Sequence, residues 1–283
     1  MMKQVIGAVL GCAIMVPAAQ AAEYDRTFPI WGKEAYERGY DLPLPFGLTI
    51  SVFDMDQPLI IDEIILTDPV LPLEQLVTID ANLAQQTSTT YTLRGDMWVL
   101  PFWNIYAVVG YTDGDSVAPV DVQVNLGPIS PAPFSTNFNL EFSGPSYGLG
   151  TTLAGGGDNW FGLVDVNFTA TSLNILDGKI DAFTATPRVG YRWPLGINEY
   201  RLWVGAMYQD VDQVFKGRIA SLGLGETINQ ITPDGRFEVT QHLSDPWNTV
   251  VGAMYVYDKK WEVILEGGFG ERDSWFLSLG RRF

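Results

Sequence analysis

The chain has 283 residues, with 33 Asp+Glu against 17 Lys+Arg, one His and one Cys, for a formal charge of −16. A pI near 4.3 leaves little to neutralise a row of phosphates, which excludes nucleic acid, and a single Cys excludes internal disulfides and Cys-based zinc sites. With 47% hydrophobic and 13% aromatic residues the chain is not a disordered acidic tail, and its length suits one large β domain as readily as two smaller ones.

Lys3 precedes an apolar run from Val5 to Val16, followed by Pro17 and the small residues Ala18-Ala19-Gln20-Ala21-Ala22. A basic start, a short apolar core and an A-x-A site read as a secretory signal peptide over 1–21, cleaved after Ala21. The run is too short for a transmembrane helix and continues past Cys12, where a lipidated Cys would close it. Residues 22–45, with Trp31 to Arg38 as a short amphipathic stretch, read as an N-terminal segment or a partial plug ahead of the main domain, 46–283.

From Phe46 onward the pattern has period two, the period of a half-buried strand. Phe46, Leu48, Ile50 and Val52 face away from Gly47, Thr49 and Ser51, and Trp103, Ile105, Ala107, Val109 and Tyr111 face away from Asn104 and Tyr106. Trp160 to Phe168, Phe183 to Trp193, Trp261 to Phe269 and Trp275 to Phe283 alternate in the same way. Near 138–153 the apolar parity flips, from Phe138, Leu140 and Phe142 to Tyr147, Leu149 and Leu153, which predicts a bulge at Gly144-Pro145. Residues 247–257 are apolar on both faces and leave their register open. Ten strands follow: 46–54, 87–99, 102–112, 138–153, 159–171, 181–193, 199–213, 247–257, 261–270 and 275–283. Eight or twelve remain alternatives, twelve because 59–66 and 120–124 also have β character, though they read as extensions above the membrane. Short turns alternate with long loops over 55–86, 113–137 and 214–246.

The terminal strand ending on Phe283 resembles the closing strand of Gram-negative outer-membrane β-barrels, although Arg281 stands where an apolar residue is usual. The resemblance implies an all-β, transmembrane antiparallel barrel with short periplasmic turns, long outer loops and a monomeric state. It also implies contact with the barrel-assembly machinery through that strand, a periplasmic position for 22–45 and a location in the outer membrane. Phe46, Trp103, Trp160, Trp193, Trp261 and Phe283 all fall on the apolar face at the short-turn ends, as one aromatic girdle would. On the opposite face the expected lumen charges are Arg94, Asp96, Glu141, Asp165, Arg188, Arg192, Arg201, Glu262, Glu266 and Arg282, five basic and five acidic.

The excess negative charge therefore lies elsewhere. From Gly39 to Gly178 sixteen acids face one basic residue, Arg94. Such outer loops would meet lipopolysaccharide through divalent cations, and Asp54, Asp56, Asp113 and Asp115 are the weak metal-ligand candidates, short of a full calcium-loop spacing. No cofactor is expected. A narrow channel for small cationic or neutral solutes is the leading expectation. A closed barrel displaying acidic loops for adhesion, virulence or envelope integrity is the alternative. His242 and Ser244 resemble in spacing the pair of a barrel phospholipase, but Asp245-Pro246 follows Ser244 where that family has Asn-Gly, so acyl hydrolysis is a remote third.

Overall fold

The computed structural model describes residues 24–125, 127–130, 132–173, 177–222 and 232–283, so the signal peptide expected over 1–21, with its expected cleavage after Ala21, lies outside the described residues. A six-residue helix, α1 (Gly32–Glu37), precedes strand β1 (Phe46–Thr67). A single helical turn, α2 (Leu73–Leu76), then leads into β2 (Val77–Asp80), β3 (Leu83–Leu100) and β4 (Trp103–Val124). The chain continues through β5 (Phe134–Gly156), β6 (Trp160–Ser172), β7 (Asp177–Leu195) and β8 (Asn198–Arg218). It ends with β9 (Arg236–Leu243), β10 (Trp247–Tyr257), β11 (Trp261–Phe269) and β12 (Asp273–Arg282).

Ten of these strands form a closed antiparallel ring in the order β1-β3-β4-β5-β6-β7-β8-β10-β11-β12. The ring closes where β12 returns to β1, from Gly47↔Arg282 to Asp56↔Asp273. Closure leaves no sheet edge at this level, which is the condition for placing strands in a medium that cannot hydrogen-bond to them. Short turns join β3–β4, β5–β6, β7–β8 and β10–β11 at one end, called the lower end below. At the β10–β11 turn Asp258 and Lys259 both take positive φ, 51° and 54°, the pair of left-handed residues that matches a tight hairpin to strand twist.

β1 and β4 run on through 59–66 and 120–124, as the sequence suggests. β9, by contrast, is not among the ten expected strands and lies inside the expected loop 214–246. Its eight residues alternate Phe237, Val239 and Leu243 with polar neighbours, too short a run to read as a membrane crossing. β9 pairs with the upper half of β1 (Leu59–Thr67) on one side and of β8 (Asp212–Arg218) on the other, above the tops of β10 to β12.

Along the lower ring Leu48, Ile50, Leu93, Val109, Leu149, Val189, Leu202 and Leu265 point outward and are exposed. Above them the same outward rows become polar: Val52 is followed by Asp54 and Asp56, and Tyr111 by Asp113 and Asp115. The inward rows do the reverse. Gly47, Thr49 and Ser51 on β1 give way to Phe53, Met55, Gln57 and then Leu59, which is fully buried.

This exchange explains the parity flip on β5, and it corrects the predicted bulge. β5 pairs with β4 without a register shift from Val122↔Phe134 to Trp103↔Leu153, so Gly144-Pro145 holds no extra residue. Phe138, Leu140 and Phe142 point into the molecule, while Tyr147, Leu149 and Leu153 point out of it lower down. The apolar face changed sides because the dry environment changed sides.

The upper half thus encloses an apolar core that includes Leu59, Val120, Phe138, Phe142, Val211, Phe215, Phe237 and Val239. Phe138 of β5 meets Phe237 of β9 edge-to-face at 5.5 Å, and Phe142 of β5 meets Phe215 of β8 at 5.4 Å. β5 is three places from β8 around the ring, so these rings touch across the interior. Phe215→Ala is expected to lower stability by about 3–5 kcal/mol, because a closed core cannot refill the space. Leu149→Ala on the exposed lower belt should cost much less, and urea unfolding of both variants in lipid vesicles checks the contrast.

Candidate functional site in the barrel lumen

Below the apolar core the inward rows are polar, and three groups of side chains fill them. β7 supplies Arg188, whose Nε and Nη2 donate to the two carboxylate oxygens of Glu266 on β11 at 2.6 and 2.7 Å. Trp203 of β8 adds an indole N–H to the same carboxylate at 2.5 Å. The indole fits because Gly252 of β10 faces it, where a Cβ would come within 2.4 Å of the ring. Glu266 is 5% exposed, so the forked pair is a desolvated one and its geometry has to be good.

At the lower end Arg282 of β12 donates from Nη2 to Asp96 of β3 at 2.7 Å, and Nη1 lies 3.5 Å from Glu262 of β11. Its Nε donates to the carbonyl of Leu44 at 2.9 Å, tying the chain ahead of β1 to the mouth of the barrel. Asn104 donates to Asp96 at 2.7 Å and accepts from Arg94 at 3.2 Å. Arg94 lies over the ring of Tyr106, 3.6 Å from its centroid, and Tyr106 donates to Asp165 at 2.7 Å. Thr152 completes this group with a 2.6 Å bond to Asp165. A third set, Arg201 and Arg192 around Glu199, sits near the β7–β8 turn.

Of the ten lumen charges expected from the sequence, nine face inward in these groups, and Glu141 does not. It is exposed on the outer wall opposite Asp115, between the buried Leu140 and Phe142. The inverted face explains the difference: where the interior is apolar, the polar row is the outward one. Glu199 takes its place in the lumen. Its signal was in the sequence, two residues before Arg201 and therefore on the same face. The balance remains five arginines to five carboxylates.

Phe46, Trp103, Trp160, Trp193, Trp261 and Phe283 are all exposed at or beside the lower ends of their strands. Asp54, Asp56, Asp113 and Asp115 lie outward just above the belt, and β3 separates the first two from the last two. Asp54 faces Thr89, which faces Asp113, while Asp56 faces Thr87, which faces Asp115. Thr89 donates to Asp54 at 2.6 Å. Among the described residues no three His, Cys, Asp or Glu side chains gather closely enough to hold a metal ion. His242 and Ser244 are engaged separately. His242 Nδ1 lies 2.9 Å from the Asp62 carboxylate, and Ser244 donates to the carbonyl of Pro58 at 3.2 Å.

No protein-family model and no curated protein matches the chain. The similar solved structures are outer-membrane barrels. The β domain of the Bordetella autotransporter BrkA shares 11% identity over 84% of this chain and 100% of its own, with a TM-score of 0.43. OprG of Pseudomonas aeruginosa shares 13% over 86% and 97%, with a TM-score of 0.32. An outer-membrane channel of Pseudomonas putida F1 shares 9% over 92% and 100%, with a TM-score of 0.34.

Glu266→Gln leaves the Arg188 guanidinium buried beside a neutral amide and is expected to destabilise the barrel by about 3–5 kcal/mol. Replacing both partners, Arg188→Met with Glu266→Met, should recover most of that loss. Urea unfolding followed by tryptophan fluorescence reads both.

Proposed function

We propose that this protein is an integral outer-membrane barrel that passes small neutral or cationic solutes through a narrow conduit normally held shut. The observation that carries the proposal is the two-faced wall. The lower ring turns exposed apolar side chains outward and a charge-balanced polar lining inward. That lining suits water and polar solutes, whereas the outward face suits lipid. Among the described residues no helix is long and apolar enough to cross a membrane, so strands are the spanning elements in this proposal. With the short turns placed in the periplasm, Asp54, Asp56, Asp113, Asp115 and Glu141 stand above the outer leaflet. Their field concentrates cations at the mouth and disfavours anions.

The apolar core across the upper interior supports the shut state, since a solute moving along the axis meets Phe142 and Phe215 in contact. The same core favours a second reading, a permanently closed barrel whose function is to display its acidic outer extension. Neither arrangement uses His242 and Ser244 as a catalytic pair.

Conductance in planar bilayers distinguishes the two. The native barrel is expected to stay closed with brief openings that carry cations over anions, read from the reversal potential in asymmetric KCl. Phe142→Ala combined with Phe215→Ala should raise the open fraction about tenfold or more, corresponding to about 1.4 kcal/mol removed from the closed state. If the native and the doubly substituted barrels are both silent, the display reading stands and the conduit is abandoned.

A further inference from the structure

Arg272, in the turn between β11 and β12, is only 1% exposed, yet it forms no ion pair among the described residues. Its one hydrogen bond runs from Nη2 to the carbonyl of Pro246 at 3.2 Å, while Nε and Nη1 have no partner. Burial pulls its affinity for the proton below the usual arginine range, and Asp245 offsets that in part. A cation in such a position is costly unless something else compensates it.

The neighbours are short of partners in the same way. Gln57 is 1% exposed, with neither its amide N–H groups nor its oxygen bonded. Gln86 faces Gln57 across the β1–β3 pair, and its side-chain oxygen is unpartnered. The side-chain oxygens of Gln209 and Asn248 are unpartnered too. Asn248 donates to the Arg272 carbonyl at 2.9 Å, and the Gln209 backbone N–H donates to the Pro246 carbonyl at 2.8 Å, which ties both to the arginine turn. Asp273 pairs with Asp56, so Arg272 and Gln57 occupy the next position along that ladder. All five side chains are more than nine-tenths buried, and they come from the contiguous strands β8, β10, β1 and β3 and the β11–β12 turn, with Gln57 and Gln209 one inward position below Leu59 and Val211. They line one side of the lumen at the level where the apolar core begins.

Unbonded polar atoms this numerous at one level call for a partner that supplies the missing groups. The guanidinium and the Gln57 amide offer donors, which suit a carboxylate. The oxygens of Gln57, Gln86, Gln209 and Asn248 are acceptors, which suit hydroxyl or ammonium hydrogens. We propose that Arg272, with Gln57, Gln86, Gln209 and Asn248, is a binding site for a small carboxylate that also carries hydrogen-bond donors, of the hydroxy-acid or amino-acid kind. An amino acid is neutral overall, and so compatible with the acidic mouth. The site deepens the conduit proposal by naming zwitterionic amino acids as its solute class, hydroxy acids serving only as probes of the same contacts because the acidic mouth disfavours anions, and it rests on the lumen being reached by solute.

Calorimetric titration of the detergent-solubilised barrel with L-serine, lactate and sulfate tests it without requiring conduction. Saturable binding of serine or lactate is expected, weakened at least tenfold by Arg272→Met and also weakened by Gln57→Leu. In the ligand-free barrel Arg272→Met should raise the melting temperature, because it removes an uncompensated charge. The proposal is overturned if neither organic probe binds, if sulfate binds as tightly as they do, if Arg272→Met leaves binding intact, or if that variant melts lower. Failure to bind beside measured conductance removes the site alone, and binding beside silent bilayers removes the conduit alone.

Discussion

Where no bulge intervenes, a strand sends alternate residues to opposite faces along its length. A strand that runs from an apolar surrounding into water must therefore exchange which of its faces is apolar. β1, β4, β5 and β8 all make this exchange at about the same height. Below it, Leu48, Val109, Leu149 and Leu202 look outward; above it, Leu59, Val120, Phe142 and Phe215 look inward. The closed ring, the dry upper core and the acidic outer wall are three results of one alternation meeting two environments.

The lumen inherits its character from that boundary. Below, where the inner row is polar, the charges are drawn from distant strands into forked or multiple contacts, as in Arg188 with Glu266 and Arg282 with Asp96. Above, no charge of the inner row needs compensation because the row carries none. Arg272 lies at the transition, within neither the paired network below nor the apolar packing above. Its exceptional position is what marks it out from the other interior arginines.

Much of this was legible in the residues. Alternation with aromatics at the strand ends gave the ten strands of the ring, because the lower segments are long enough to show the period clearly. Nine of the ten lumen charges followed from parity alone. The parity flip on β5 was equally visible, but a bulge and an inverted environment produce the same pattern of apolar residues. The register against β4 distinguishes them. Glu141 went to the wrong side for that reason. β9 was missed because eight residues between loops resemble neither a crossing nor a periodic domain strand, and its partners lie far away in the chain. The orphaned amides of Gln57 and Gln86 carry no sequence signal, since an unpaired atom is a property of its neighbours.

β1 is shared lengthwise, its lower half held by β12 and its upper half by β9. These two partners lie far from β1 in sequence but close to each other, for β9 ends at Leu243 and β12 begins at Asp273. Bringing the chain ends together to zip β12 onto β1 incurs the large entropy loss of joining distant segments. β9 is held on its other side by β8, from Asp212↔His242 to Arg218↔Arg236, a pairing that closes only the short loop between two neighbouring strands.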